Sequence, residues 1–343
     1  MPVLALVAAI STAGGAATSP ASSAASSVSP VQVSEGIPAF AHVFLIIGEN
    51  ATYSHLNDSD APYLLDTIRP HAAWLSNYFA ATHWSQANYV ALTTGQFTRC
   101  EQKDGGVACH QNIDNLFHQL DLAGLSWTVW LDAAPGKCDT SSGNRCASTT
   151  ACPLTGFFTT GNPPILFDDI EGPNGAWSPT ARSRECRADD RPAGTPRAGM
   201  SAFNAALPTG HVARFNVIIP NGCRDGEANC KPVHNRYTQF DNFLAAEVPQ
   251  IEASPAYGSN GVIVVVYDED QRAGGLAGKN GFGSGGHVVC AILSPLAAAG
   301  SYRQKYYHYS LLRTLEDGFR LRGYLGHANA VRPIAGIWRT PAG

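Results

Sequence analysis

Apolar positions along the chain fall into two rhythms. One is the unbroken run: Val43-Phe44-Leu45-Ile46-Ile47 proceeds without a polar residue and then stops at Gly48-Glu49-Asn50. Runs of this length suit central parallel strands covered on both faces. The pattern returns where Gly261-Val262-Ile263-Val264-Val265-Val266-Tyr267 meets Asp268-Glu269-Asp270. Shorter runs predict further strands over 126–131, 214–220 and 288–294. The other rhythm is helical, with apolar residues three and four apart, and it predicts helices over 61–70, 86–94, 114–123, 236–251 and 309–321. Strands alternating with helices build a mainly parallel sheet covered by helices on both faces, an α/β fold of three α/β/α layers.

Two regions depart from this alternation. Residues 133–212 are rich in Gly, Pro, Thr, Arg and Cys, and predict a disulfide-tied excursion over the active edge of the sheet. A structureless loop of that length is unusual in a compact domain, so short helices are expected within it. The chain start reads differently again. Residues 3–10 form a short apolar stretch followed by Gly15-Ala16-Ala17, which is the pattern of a signal peptide over 1–17. Residues 18–36 are dominated by Ser, Ala and Pro and read as a flexible leader. A single domain is expected over 37–343, with a secreted or extracytoplasmic address. The apolar stretch is too short to span a bilayer, and no later segment reads as transmembrane.

Composition narrows the partners. The 343 residues are 44% hydrophobic and 15% charged with a net charge of −4, which gives no electrostatic case for nucleic acid as a partner. Nine cysteines stand mostly in polar, Gly/Pro-rich contexts suited to disulfides in an exported protein. Cys290, inside Val-Val-Cys-Ala-Ile-Leu, is the one expected to be buried and unpaired. Arg182, Arg184, Arg187 and Arg191 read either as a solvated face or as a basic lip attracting phosphorylated substrates.

The candidate chemistry sits where the unbroken runs end. Glu49-Asn50 can shape a turn and nothing more. Asp268-Glu269-Asp270 is harder to explain that way, because adjacent carboxylates repel unless solvent or a cation relieves them. Together the two strand ends form a rim of hard oxygen ligands suited to one or more divalent ions such as Mg, Ca, Mn or Fe. A second constellation is Thr82-His83-Trp84-Ser85-Gln86-Ala87-Asn88-Tyr89, opening a helix that Gly95 closes. Ser85 can serve there simply as an N-cap. Alternatively, the helix N-terminus holds a phosphate and Ser85 attacks it, with Asn88 one turn along as a donor.

These segments, in order, resemble a known family. His42 to Asn50, Ala61-Pro62-Tyr63-Leu64, Thr82 to Ser85 with Asn88-Tyr89 and Leu92-Thr93-Thr94-Gly95, Asn162-Pro163 with Phe167-Asp168-Asp169-Ile170, Pro220-Asn221-Gly222-Cys223 with Asp225-Gly226, Val266-Tyr267-Asp268-Glu269, Gly286-His287-Val288 and His308 to Asp317 look like the bacterial phosphoesterase family of secreted acid phosphatases and phosphatidylcholine-type phospholipases C. The resemblance covers roughly residues 41–321. It implies an alkaline-phosphatase-like fold, Glu49, Asn50, Asp268 and Glu269 as metal ligands, and Ser85 as a nucleophile that becomes transiently phosphorylated. It further implies His287 and His308 near the phosphate as candidate acids, and His83, Asn88 and Asn221 as phosphate-binding groups. Trp84 stands where the family often has proline, and Arg224 and Glu227 occupy a loop that often carries histidine.

The expected activity is a secreted, metal-dependent phosphomonoesterase of acid phosphatase type, acting on a small phosphorylated substrate or a phospholipid head group. The alternatives are a phosphodiesterase of phospholipase C type and a catalytically silent binding protein. The chain ends soon after the Glu316-Asp317 helix, without the large C-terminal region expected of longer phospholipase C relatives, which ranks monoester cleavage first. A neutral-to-acidic optimum is expected if His287 or His308 must be protonated.

Overall fold

The computed structural model describes, besides Met1, residues 35–97, 110–139, 161–171, 183–194, 199–271 and 281–339. The stretch expected to be a signal peptide and leader, to residue 34, Arg182 and the cysteines at 100, 109, 146 and 152 lie outside the described residues, Met1 apart. Residues Gln32–Gly343 group as one compact unit.

Eight strands form the main sheet: β1 Val43–Gly48, β2 Ala73–Leu75, β4 Trp127–Leu131, β5 Asp190–Pro192, β6 Phe215–Ile219, β7 Val262–Tyr267, β9 Cys290–Leu293 and β10 Gly300–Tyr302. Their order is β10-β2-β9-β7-β1-β6-β4-β5. The block from β7 to β5 is parallel throughout, and β9 pairs antiparallel with both β7 and β2. Every residue of β1 and β7 is buried, which is why these strands read as unbroken apolar runs rather than alternating ones. Three two-residue strands, β3 Tyr78–Phe79, β8 His287–Val288 and β11 Tyr306–Tyr307, form a second small sheet.

The expected helices are present with shifted ends, at Ser85–Thr94, Leu116–Leu122, Arg236–Glu252 and His308–Gly318. Two expectations change. The predicted helix over 61–70 is a π-turn, Tyr63–Ile68, running into a single α-turn, Arg69–His71; Pro70 lacks an N–H and cannot extend a regular α-helix from behind. The predicted strand over 288–294 divides between the two sheets as β8 and β9. Within the excursion, the described residues carry short helices at Arg184–Asp189 and Ser201–Ala206 and the edge strand β5. A Cys138–Cys186 disulfide joins β4's exit loop to that segment, Cys223–Cys230 closes a second loop, and Cys290 is buried and unpaired. No helix among the described residues is long and apolar enough to cross a membrane.

The ends of β1 and β7 are stitched together. Gly48 has no room for a side chain, since a Cβ there would lie 2.7 Å from Phe240 on the Arg236–Glu252 helix. Asn50 then turns the chain with φ 53°, a left-handed conformation that asparagine tolerates. Asp268 N–H donates to Gly48 O at 2.9 Å and Ala51 N–H to Glu269 O at 3.0 Å. Asn50 N–H donates to the Asp268 carboxylate at 3.0 Å. Two segments more than two hundred residues apart therefore present their acids from one rigid edge.

Candidate active site

Ser85 opens the Ser85–Thr94 helix as its first residue, and the cap position belongs to Trp84. Its hydroxyl therefore does not cap the helix. It donates to Glu49 Oε2 at 2.6 Å, with Glu269 Oε1 at 3.4 Å. Glu49 Oε1 accepts from the Tyr89 hydroxyl at 2.6 Å. Ser85 and Tyr89 are four residues apart, so one helix face presents both hydroxyls to the same carboxylate. Trp84, just before, sits at φ 85° and ψ 111°. Proline, whose φ is locked near −65°, cannot occupy that position, so the departure from the family pattern at Trp84 carries its own backbone geometry.

The loop leading to Ser85 is shaped by Asn88. Its Oδ1 accepts from the N–H groups of Ala81 (3.0 Å) and Thr82 (3.1 Å), and its Nδ2 donates to Thr82 O at 2.7 Å. Fully buried, the amide is committed to backbone on both sides, where the sequence reading expected it to donate to a phosphate oxygen. His83 is held between acids, with Nδ1 3.1 Å from Glu269 Oε2 and Nε2 3.5 Å from Asp270 Oδ1.

Glu49, Asp268 and Glu269 are all buried. Among the described residues, no Lys or Arg forms an ion pair with Glu49 or Asp268. Burial pushes the Glu49 carboxyl well above its ordinary value, and neighbouring Asp268 and Glu227 push it further. Burial and then Glu269 act on Asp268 in the same direction. Burial and then Glu49 raise Asp225. Asp268 Oδ2 is buried and has no hydrogen-bond partner. Acids enclosed this way, facing hydroxyls and each other, fit a hard divalent cation, which supplies the missing positive charge and takes oxygen ligands. The set is loosely drawn: among the described residues the only three such groups within 4.8 Å of one another are Cys138, Cys186 and Asp190, and those two sulfurs are joined to each other.

The remaining expected residues lie farther out. His308 is fully buried, with Nδ1 2.9 Å from the Tyr78 hydroxyl and Nε2 2.6 Å from Asp268 O. A carbonyl only accepts, so Nε2 donates to it and Nδ1 accepts from Tyr78. Burial pulls the ring down to about 4, and both nitrogens are occupied. In this arrangement His308 supports the Asp268 backbone, where the sequence reading expected a leaving-group acid. His287 is stacked between Tyr53 (4.2 Å) and Phe79 (5.1 Å), donates through Nε2 to Ser76 O at 3.1 Å, and is lowered by burial. Burial disfavours the protonated form of both rings, so a step that needed either of them protonated would shift to more acidic pH. Asn221 is likewise turned from the rim: its Nδ2 donates to Asp132 Oδ2 at 2.7 Å and its Oδ1 accepts from Cys223 N–H at 2.9 Å.

Sequence reading missed several groups that complete the rim. Tyr89 was available from its four-residue spacing after Ser85. Asp225 holds Glu49 through a backbone bond of 2.7 Å, and Glu227 accepts from the Asn50 side chain at 2.5 Å. Gly226, at φ 106°, lies so close that a Cβ would sit 2.7 Å from Glu49 O. No local pattern announces these contacts, since they join segments about 180 residues apart.

Known proteins share this arrangement of the chain. A Mycobacterium tuberculosis protein named phosphatidylinositol-3-phosphatase is 24% identical over 307 residues, covering 88% of this chain and 84% of its own. A probable acid phosphatase of Kluyveromyces lactis is 24% identical over 301 residues, with 87% of this chain matched to 63% of that longer protein. Among solved structures, an alkaline phosphatase superfamily protein from Vibrio parahaemolyticus superposes with a TM-score of 0.52 at 11% identity, covering 84% of this chain and 69% of its own. The phosphonate monoester hydrolase of Agrobacterium radiobacter superposes at 0.51 with 15% identity, covering 82% and 74%. The three-layer, alkaline-phosphatase-like fold is thus established. A profile of the Phosphoesterase family matches residues 41–322, and the chain belongs to that family as a phosphoric ester hydrolase.

Proposed function

We propose that this chain is a metal-dependent phosphomonoesterase that transfers the phosphoryl group of its substrate to Ser85 and then to water. The observation that carries the reading is the 2.6 Å hydrogen bond from the Ser85 hydroxyl to a buried glutamate at a helix N-terminus. Glu49, Asn50, Asp268 and Glu269 are the residues that would hold a divalent cation beside Ser85. Such an ion supplies Lewis acidity, polarising a phosphoryl oxygen and lowering the pKa of a nearby hydroxyl.

The chain's own groups do the rest. Glu49 orients Ser85 Oγ and accepts its hydrogen bond as the oxygen attacks phosphorus, while Tyr89 fixes the opposite oxygen of Glu49. The first-turn N–H groups and positive dipole end of the helix stabilise charge developing on the equatorial oxygens. His308 and Tyr78 hold the Asp268 backbone, so the carboxylate does not move during turnover. Glu49 takes the Ser85 proton as the new P–O bond forms, and the leaving oxygen takes a proton from water. The hydroxide so formed attacks the phosphoserine and expels Ser85 Oγ, which recovers its proton from Glu49.

Phosphate monoesters are the favoured substrates because both curated relatives carry phosphatase names, one of them for a phospholipid head group. Two disulfides support an extracytoplasmic address. The test is hydrolysis of p-nitrophenyl phosphate by the purified chain, with and without chelator, beside Ser85→Ala. Expected is activity that a chelator removes, that a divalent cation restores and that Ser85→Ala lacks. Full activity in Ser85→Ala overturns the nucleophile, and a wild type active only on phosphatidylcholine replaces monoesterase with phospholipase C.

A further inference from the structure

An indole enclosed by a fold needs an acceptor for its N–H, and four of the described tryptophans have one. Trp74 Nε1 donates to the Tyr53 hydroxyl at 2.8 Å and Trp127 Nε1 to Asp121 Oδ1 at 3.0 Å. Trp130 Nε1 donates to Asn216 Oδ1 at 3.1 Å and Trp338 Nε1 to Ile334 O at 2.7 Å. Trp84 is the exception among the described residues. Its indole has no acceptor and no ring or cation partner, and the residue is 36% exposed. A single exposed apolar side chain is ordinary, but the backbone beneath this one is not. At φ 85° and ψ 111° Trp84 holds a conformation that glycine enters freely and that strains a residue with a Cβ. Strain of this kind collects at ligand sites.

The helix that carries Ser85 also fixes the place of this ring. Trp84 O accepts from Ala87 N–H at 3.1 Å and from Asn88 Nδ2 at 3.4 Å, which ties the residue to the first turn. Both of its neighbours point into the acidic rim, His83 against Glu269 and Asp270, and Ser85 against Glu49. From Ala80 to Gly95 every residue is buried except Trp84. Its Cα lies about 3.8 Å from that of Ser85, across one peptide bond. In-line attack sets the leaving oxygen opposite Ser85 Oγ, on the side open to solvent, and Trp84 is the exposed ring beside it.

We propose that the Trp84 indole is a specificity platform on which a planar aromatic group in the alcohol part of the substrate stacks. The inference rests on Ser85 as the point of phosphoryl transfer, and it narrows the substrate class to phosphate monoesters of aromatic or arylalkyl alcohols. An offset stack is made alike in ground and transition states, so it lowers KM and leaves kcat alone. Proline, frequent at this position in the family, offers no indole and cannot adopt φ 85°. The preference therefore belongs to this chain.

Two esters separate flatness from size and leaving-group reactivity: phenethyl phosphate and cyclohexylethyl phosphate, each given to the full purified chain. Expected is a kcat/KM ratio of about three- to tenfold in favour of the phenyl ester, carried by KM. Trp84→Phe keeps a flat ring and keeps the preference, whereas Trp84→Leu and Trp84→Gly bring the ratio to about one. The ratio is taken within each variant, so any disturbance of the neighbouring Ser85 cancels. A wild-type ratio of one overturns the platform, as does a preference that survives Trp84→Leu and Trp84→Gly. A wild type that hydrolyses neither ester overturns the Ser85 reading instead. Iodide quenching then decides the platform without turnover, and does so too if the Leu and Gly variants do not fold. The fluorescence difference between wild type and Trp84→Phe isolates the exposed indole. Phenethylphosphonate should protect that signal and methylphosphonate should not. No protection by the aryl compound, or equal protection by both, overturns the proposal.

Discussion

Two buried carboxylate clusters share the edge of this sheet, and they are solved in opposite ways. Asp132, after β4, directs one oxygen at the Arg224 guanidinium (2.9 Å from Nε) and at the Asn221 amide (2.7 Å). Its charge is answered within the chain. Glu49 and Asp268, after β1 and β7, are equally enclosed but meet the hydroxyls of Ser85 and Tyr89, a backbone N–H and each other's charge. An ion pair with Arg224 ties two loops together. Acids left without a cation destabilise the fold they sit in, and persist where they have something to bind. The first arrangement is architecture, and the second is the one we propose as the site.

The largest effect that separates the clusters is catalytic. Ser85→Ala is expected to lower kcat on p-nitrophenyl phosphate by about 10³-fold or more, whereas Asn221→Ala, at the other cluster, acts through stability. Circular dichroism of both variants checks that the fold persists.

A third buried acid asks whether burial alone explains the contrast. Glu316, on the His308–Gly318 helix, accepts from Leu325 N–H at 2.7 Å and is pushed up to about 8, chiefly by burial. The folded state therefore holds a proton that the unfolded chain has released above about 4.5. More protons are bound in the native state, so stability falls as pH rises from about 4.5 to about 8. The loss is roughly 3 kcal/mol across that window after allowance for relaxation. Urea unfolding at pH 5 and pH 8 measures it, and Glu316→Gln should flatten the dependence. Divalent cations should not restore the stability lost at Glu316, whereas they should raise the melting temperature through Glu49.

The next comparison is direct. Asp132→Ala leaves Arg224 without its partner and is expected to cost about 2–3 kcal/mol, below the full buried-pair figure because Arg224 is partly exposed. Glu49→Gln removes an enclosed charge and should leave the metal-free stability unchanged or higher, while abolishing turnover. Similar destabilisation by both would erase the distinction between the clusters.

The smallest effect concerns Tyr89. Tyr89→Phe removes one hydroxyl from Glu49 and keeps the ring packed, so kcat should fall about tenfold, equivalent to about 1.4 kcal/mol, with KM little changed. A rise in KM alone would make Tyr89 a binding group instead.

Much of this was legible in the chain. The runs at 43–47 and 262–267 could be read as central strands because both faces of β1 and β7 are buried, leaving no polar alternation to confuse them. Glu49, Asp268 and Glu269 could be named because they follow those runs directly. The short strands β2, β3, β10 and β11 were not legible, since two or three residues show no periodicity and their pairing is set by neighbours. His308, Asn88 and Asn221 stand out in the sequence, but the groups each of them bonds are set by the tertiary structure. Motif order marks a position; only the partners of each nitrogen and oxygen show whether it faces substrate or props a loop.

By itself the sequence determined the layers, the parallel block and the acids at its end, because a strand buried on both faces must be apolar and must release its polar residues at its terminus. The tertiary structure decided which acids stay unpaired. Whether a carboxylate meets Arg224, Tyr89 or another carboxylate depends on segments many residues apart. Burial turns that choice into a large energy, since an enclosed charge without a partner is costly and one with a guanidinium is held.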